Sequence, residues 1–245
     1  MLVEVLLLYG LILTQFLDGT IGDAEGLGAI RKKELRKSAI QLGVRSESDV
    51  FIVNEPSLFP DSMTAQWPDR DISGLLTVAF SPELASIADH NDKENPNEAP
   101  AATIDVLITF DRDGISNHPN HRALYHGAVH FMRKLVKSYP GFACPVTLYT
   151  LTSVSIFRKY MGIFDALLSM LLGLSGFIWA RLKGTGEKDV SEPARLLFIS
   201  PIRDYFTALG AMVNCHQSQM VWFRWGWITI ARYMTVNDLK REKIQ

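Results

Sequence analysis

The sequence predicts an α/β fold: a doubly wound, mostly parallel sheet with helices on both faces. The first observation is a set of apolar runs of strand length, Asp49–Val53, Ile104–Phe110 and Val146–Tyr149, bounded by turn residues. The second is that stretches of helical period lie between those runs, and such alternation builds βαβ units whose crossover helices cover the sheet. The third is size: at 245 residues, 47% hydrophobic and 21% charged, the chain can bury one sizeable core. A single domain over residues 1–245 is expected.

The elements follow in order. Leu2 to Phe16 is apolar but carries Glu4 and no basic start. It makes a poor signal peptide and falls short of the roughly 20 apolar residues of a membrane span, so it reads as a buried strand or a strand leading into a turn. Gly22–Gly28 is a glycine-rich turn. From Ala29 the period is helical, with Ile30, Leu35, Ala39 and Leu42 on one face and Arg31, Lys32, Lys33, Arg36 and Lys37 opposite, and Gly43 supplies the stop. The strand Asp49–Val53 leads into a loop with Pro56, Pro60 and Pro68, then a helical stretch from about Ile72 to Ala88. Residues 89–102 are polar, contain proline and have no hydrophobic period, as a surface insertion or disordered loop does. The strand Ile104–Phe110, a helix from Pro119 to about Lys137 and the strand Val146–Tyr149 complete the pattern.

Some function classes fall away at once. A net charge of −1 offers no basic field for nucleic acid. Cys144 and Cys215 are far apart and lack C-x-x-C spacing, which excludes a disulfide framework or cysteine zinc knuckle and leaves reduced thiols facing the cytosol.

In a doubly wound sheet, ligands bind beyond the carboxyl ends of the strands. The segment after Phe110 runs Asp111-Arg112-Asp113-Gly114-Ile115-Ser116-Asn117-His118-Pro119-Asn120-His121. Proline suits the first helical position, which puts His118 at the N-cap and His121 in the first turn. Three residues apart, both imidazoles can point to one spot, a workable geometry for a zinc ligand set that keeps one position open to water. The same spacing also suits two solvated or capping histidines. His126 and His130 stand at i, i+4 without the glutamate of H-E-x-x-H and read as structural or surface residues. His90 lies in the polar insertion and His216 near the C-terminus, neither with an obvious cluster.

Several strings lie along the chain in order. They include Gly28-x-x-Arg31-Lys32-Lys33-Glu34-Leu35, Asp61-Ser62-Met63 with Trp67, and Thr109-Phe110-Asp111 with Gly114-Ile115-Ser116-x-His118-Pro119-Asn120-His121 and Leu124-Tyr125-His126-Gly127. Further on come Ser155-Ile156-x-Arg158-Lys159-Tyr160, Cys215-His216-x-Ser218-Gln219-Met220-x-Trp222-Phe223-Arg224 and Arg232-Tyr233-Met234-x-x-Asn237. They resemble the PIG-L/LmbE-like de-N-acetylases, and within that family the eukaryotic glycolipid-anchor branch, over roughly Gly22 to Leu239. The resemblance implies a Rossmann-like, LmbE-like sheet and hydrolysis of the acetamide of N-acetylglucosaminyl-phosphatidylinositol to the glucosaminyl lipid and acetate. It implies Zn2+ with His121 as a metal ligand, and His118 stabilising the oxyanion or protonating the departing amine. Arg31 and Asp61 would bind the sugar or its phosphate; without the resemblance Arg31 reads as a solvated helix charge. The implied setting is the endoplasmic reticulum bilayer, with the catalytic face towards the cytosol. The family's first motif, A-H-P-D-D-E, does not occur in the sequence, whose one His-Pro pair is His118-Pro119. The first strand and its motif are accordingly expected to be missing, which suits a truncated product or a non-catalytic glycolipid-binding paralogue. Asp23, Asp111 and Asp113 are the carboxylates that could stand in.

Residues 161–181 form an apolar block with Asp165 as its one acidic group and Arg181 and Lys183 closing it. Its uncharged length is about three-quarters of the roughly 20 residues of a span, so a helix lying in one leaflet is expected, with a buried core helix as the alternative. Trp222, Phe223, Trp225 and Trp227 with Arg224 and Arg232 suggest an aromatic-basic cluster for a headgroup interface.

Overall fold

The computed structural model describes residues 12–13, 28–53, 55, 57–60, 64–90, 101–183 and 193–244. In chain order the main elements are β1 (Ile12–Leu13), α1 (Gly28–Gln41), β2 (Val50–Phe51), α2 (Asp69–Phe80), α3 (Pro82–His90) and β3 (Val106–Phe110). There follow α4 (Gly114–Asn117), α5 (Pro119–Ser138), β4 (Thr147–Leu151), α6 (Ile156–Lys159), α7 (Asp165–Leu182), β5 (Arg195–Ile199), α8 (Ile202–Gly210), α9 (Trp222–Ile230) and β6 (Val236–Arg241). The mixed α/β fold class and its parallel pairing are as expected. Strand lengths are not: β2 keeps two of the five residues expected over 49–53, and Asp49 belongs instead to a 3-10 turn, Glu47–Asp49, whose N-cap Ser46 accepts from the Ser48 N–H.

Contacts divide the chain into two units, Met1–Ser57 with Val154–Leu239, and Leu58–Ser153 with Lys240–Gln245. The second unit holds the pairing that matters for chemistry. β3 and β4 run parallel in unbroken register from Val106 opposite Thr147 to Phe110 opposite Leu151, so both end at the same level. Beyond β4 the Glu242 N–H donates to the Leu148 carbonyl, and Thr150 Oγ1 donates to the Lys240 carbonyl. The crossover helix α5 spans 20 residues and buries Ala123, Gly127, Ala128, Phe131, Met132 and Leu135 at the 3.6 period read from the sequence. It packs on the buried face of α2, formed by Ile72, Leu76 and Phe80. Gly127 permits the approach, since a Cβ there would overlap Cγ2 and Cβ of Ile72. The helical stretch expected from Ile72 to Ala88 is two helices, broken at Ser81, whose N–H still reaches the Thr77 carbonyl. Helix α3 takes in Asp89 and His90, the first two residues of the polar stretch; residues 91–100 lie outside the described residues.

The first unit contains the parallel pair β1–β2, with Ile12 opposite Val50. Helix α1 buries Leu35, Ser38 and Ala39, whereas Ile30, expected on that face, is exposed; the buried stripe starts one turn later. Further along, α7 begins at Asp165, which is fully buried and takes two arginines. Arg158 donates from Nε to Oδ1 at 2.7 Å and from a terminal nitrogen to Oδ2 at 2.9 Å, and Arg232 Nε lies 3.0 Å from Oδ2. Ser169, one turn on, donates to the same carboxylate. After that anchor the helix is apolar and exposed, with Leu167, Leu174, Phe177 and Trp179 on its surface. It is long and apolar enough to cross a membrane over Gly162–Trp179, by length and composition.

The aromatic-basic cluster is corrected on one side. Trp222, Phe223 and Trp225 are exposed, but Arg224 and Arg232 are buried and cannot meet headgroups. Arg224 donates to the Gln219 carbonyl and side-chain oxygen, and Arg232 is held by Asp165. The reason is that a guanidinium buried beside an acceptor or carboxylate is held there by directional bonds, which neighbouring tryptophans in sequence do not reveal. The basic group that does accompany the aromatic rings is Lys159, whose Nζ stands 5.9 Å from the Trp227 ring centre.

Candidate active site

The site grows from the level ends of β3 and β4 in the second unit. Asp111 follows β3 and its carboxylate accepts four hydrogen bonds. Oδ1 takes the Asp113 N–H at 3.1 Å, the Gly114 N–H at 3.0 Å and the Ser153 hydroxyl at 2.6 Å; Oδ2 takes the Ser153 N–H at 2.6 Å. Ser153 Oγ in turn accepts from the Ile115 N–H at 2.8 Å. Asp111 therefore shapes the loop through all four of these bonds. Asp113 is exposed, and Asp23 lies outside the described residues.

That loop carries three left-handed residues, Gly114, Ile115 and Asn117, with φ near +60° (60°, 60° and 57°). For Ile115, a β-branched residue, this conformation stores on the order of 1–3 kcal/mol, sustained by the bonds around it. Glycine is required at 114 for a second reason: a Cβ there would lie 2.9 Å from His121 Cβ and 3.1 Å from Arg122 N. The tight path delivers the Gly114 carbonyl to His121.

The sequence places His118 at the N-cap of α5, and the structure does the same: its Nδ1 accepts from the Asn120 N–H at 3.2 Å. The His121 ring, in the first turn, lies 3.1 Å from the Gly114 carbonyl through Nδ1 and stacks on Phe110, centroids 4.1 Å apart and planes within 8°. The two imidazoles face each other with centroids 5.1 Å apart and planes tilted by 38°. Their partners assign opposite tautomers. A carbonyl can only accept, so His121 carries its hydrogen on Nδ1 and its lone pair on Nε2. His118 accepts at Nδ1, so as a neutral ring it carries hydrogen on Nε2. One ring thus has the form of a metal ligand and the other that of a hydrogen-bond donor.

The donor set for zinc is only part-built here. Among the described residues no three His, Cys, Asp or Glu side chains cluster to hold a metal ion. His121 fits one ligand position, and any complete set would draw on donors outside the described residues. His126 is exposed and His130 pairs with Asp69 at 3.2 Å on the surface, as expected of structural or surface histidines.

The first unit holds Arg31, which is half-buried on α1, its Nε buried without a hydrogen-bond partner among the described residues. One turn on, Glu34 accepts from the Ser218 N–H at 2.9 Å and the Ser218 hydroxyl at 2.5 Å. Beside Glu34 and Arg224 sits His216, at 3% exposure, with neither ring nitrogen hydrogen-bonded among the described residues. Burial pulls its pKa below the ordinary 6.5, Glu34 opposing and Arg224 reinforcing. The Arg224 guanidinium is likewise lowered by burial and by Arg31. No cluster around His216 showed in the sequence because Glu34, its neighbour on α1, is far from it along the chain. Asp61 lies outside the described residues.

Comparison with known proteins matches these strings to one family. Residues 11–132 match the profile of the PIG-L family, described as GlcNAc-PI de-N-acetylase, a stretch that includes Arg31, Asp61, His118 and His121. Over 241 residues the chain is 52% identical to N-acetylglucosaminyl-phosphatidylinositol de-N-acetylase of Arthroderma benhamiae, covering 91% of this chain and 69% of that protein. It is 36% identical over 225 residues to a probable N-acetylglucosaminyl-phosphatidylinositol de-N-acetylase of Schizosaccharomyces pombe, covering 90% and 71%. With the enzyme of that name from Bos taurus the identity is 32% over 219 residues, covering 89% and 68%. With most of its length aligned to relatives at this identity, the chain belongs to the PIG-L family of GlcNAc-PI de-N-acetylases.

Proposed function

We propose that this chain is an amide hydrolase that removes the acetyl group of N-acetylglucosaminyl-phosphatidylinositol, giving the glucosaminyl lipid and acetate, an early step of glycolipid-anchor synthesis. Family membership supports the reaction. The observation that carries the assignment of residues is the pair of opposed imidazole tautomers at the mouth of α5. In this reading His121 offers its Nε2 lone pair to a divalent metal, zinc by preference. Such an ion polarises the amide carbonyl and lowers the pKa of bound water to about 7 when present. Of the two roles the resemblance implies, stabilising the oxyanion or protonating the amine, the N-cap bond at Nδ1 favours the first: His118 donates its Nε2 hydrogen to the oxygen on which negative charge develops. The N-cap bond from Asn120 holds the ring of His118 in place, and Phe110 holds that of His121. Arg31 and Asp61 bind the sugar or its phosphate.

A lipid substrate calls for a membrane-docked enzyme. The exposed apolar surface of α7, together with Phe157 of α6 and Trp222 of α9 at 83% and 86% exposure, supports association with a bilayer, and in this reading α7 lies in one leaflet. The setting we infer is the cytosolic face of the endoplasmic reticulum. The test is acetate release from N-acetylglucosaminyl-phosphatidylinositol in mixed micelles by the full chain. His118→Ala should lower kcat by about 10²–10³. His121→Ala should abolish release, and chelation should do so reversibly on zinc return. A full chain that binds the glycolipid and releases no acetate with zinc supplied is instead the non-catalytic paralogue.

A further inference from the structure

The hydrogen bonds of the β3–α5 loop carry a role for two residues that touch no substrate. We infer that Asp111 and Ser153 form a clasp across the ends of β3 and β4 that sets the tautomer and orientation of His121, acting through the Gly114 carbonyl. The proposal rests on the reading of His121 as a site imidazole. Asp111 takes the N–H groups of Asp113 and Gly114, which turns the chain back immediately after β3. Ser153, two residues beyond the end of β4, donates both its N–H and its hydroxyl to Asp111, and its oxygen receives the Ile115 N–H. Gly114 is thus gripped at its own nitrogen and at that of its neighbour, on either side of the peptide whose carbonyl meets His121 Nδ1 at 3.1 Å.

Left-handed backbone at Gly114 and Ile115 is the conformation that aims this carbonyl, and an unsupported chain leaves it. Without the carbonyl, a neutral imidazole in water prefers hydrogen on Nε2, which hides the lone pair that a metal needs. The clasp therefore keeps His121 in its less common tautomer. Outer partners of this kind govern ligand basicity and orientation, and their loss typically costs about 10–100-fold in metal affinity or activity. The carboxylate and hydroxyl are positioning residues, because every bond they make is to the loop or to each other.

Substitutions separate this from mere structural support. Ser153→Ala removes the acceptor of the Ile115 N–H and a donor to Asp111; Ser153→Thr keeps both. Asp111→Asn puts an amide N–H₂ against a donor in either orientation. The readout is 15N NMR of histidine-labelled full chain in micelles, which reports which nitrogen of His121 is protonated, read beside zinc affinity and the kinetics of acetate release. The expected result is hydrogen on Nδ1 in the wild type, mixed or reversed in Ser153→Ala, and restored in Ser153→Thr. Zinc affinity and kcat should fall about 10–100-fold in Ser153→Ala with KM nearly unchanged. Should Asp111→Asn fail to fold, the two Ser153 variants decide. An unchanged His121 tautomer and kcat in Ser153→Ala overturns the clasp while leaving the de-N-acetylase reading intact. A shifted tautomer in a chain whose wild type releases no acetate retains the clasp and sinks that reading.

Discussion

Replacing Asp165 by asparagine tests how α7 is anchored. The carboxylate is fully buried and receives Arg158, Arg232 and Ser169, and Arg232 is itself fully buried. Asparagine keeps the shape, but it removes the one negative charge between two guanidiniums and turns one oxygen into a donor facing other donors. Breaking a buried pair by removing one partner costs about 3–5 kcal/mol, because the remaining charge stays desolvated. Burial already pulls the Arg232 guanidinium below the ordinary arginine range, with Asp165 pushing the other way. For a chain of this length each kcal/mol moves Tm by about 2–4 °C, so the drop should be roughly 6–20 °C. The assay is thermal and urea unfolding of the full chain in one detergent. A companion variant with Arg158→Met, Asp165→Leu and Arg232→Met should unfold much nearer the wild type, since replacing a whole buried ion cluster by apolar groups is often neutral. If Asp165→Asn unfolds within about 1 kcal/mol of the wild type, or the triple variant falls as far, the argument from uncompensated buried charge is refuted.

Gly127→Ala should destabilise by about 1–3 kcal/mol in urea unfolding despite alanine's better helix propensity, because the new methyl overlaps Ile72 near its backbone; adding Ile72→Ala should recover part of the loss. His216 gives a pH signature. Its folded pKa lies below the ordinary 6.5, so the unfolded chain takes the proton first; stability is complete above about 6.5 and is lost as pH falls towards the folded value. His216→Gln should flatten the unfolding free energy measured between about pH 7 and 5, and an unchanged slope would show that His216 is not the titrating group. Phe157→Glu and Trp222→Glu should each weaken flotation with phosphatidylcholine vesicles by about tenfold or more, as each removes an aromatic side chain worth roughly 1.5–3 kcal/mol of burial; equal flotation would place the membrane face elsewhere.

Periodicity and spacing made much of this legible. Pro119 with His118 specified the N-cap of α5 and the first-turn place of His121, because proline at the first helical position is a local steric preference. The face of α5 followed from the same local rule. The strand β2 lost Asp49 to a turn of its own, Glu47–Asp49 capped by Ser46.

By itself, then, the sequence determined the α/β class, the position of the histidine pair and the apolar block of α7, all of which depend on neighbours within a turn or a strand. Only the tertiary structure decided what lies across gaps of tens to hundreds of residues. It joins Asp111 to Ser153, and buries Arg232 against Asp165 and His216 beside Glu34. Hydrogen bonds and desolvation act over a few ångströms in space, and no local pattern reports which distant side chain will occupy that distance.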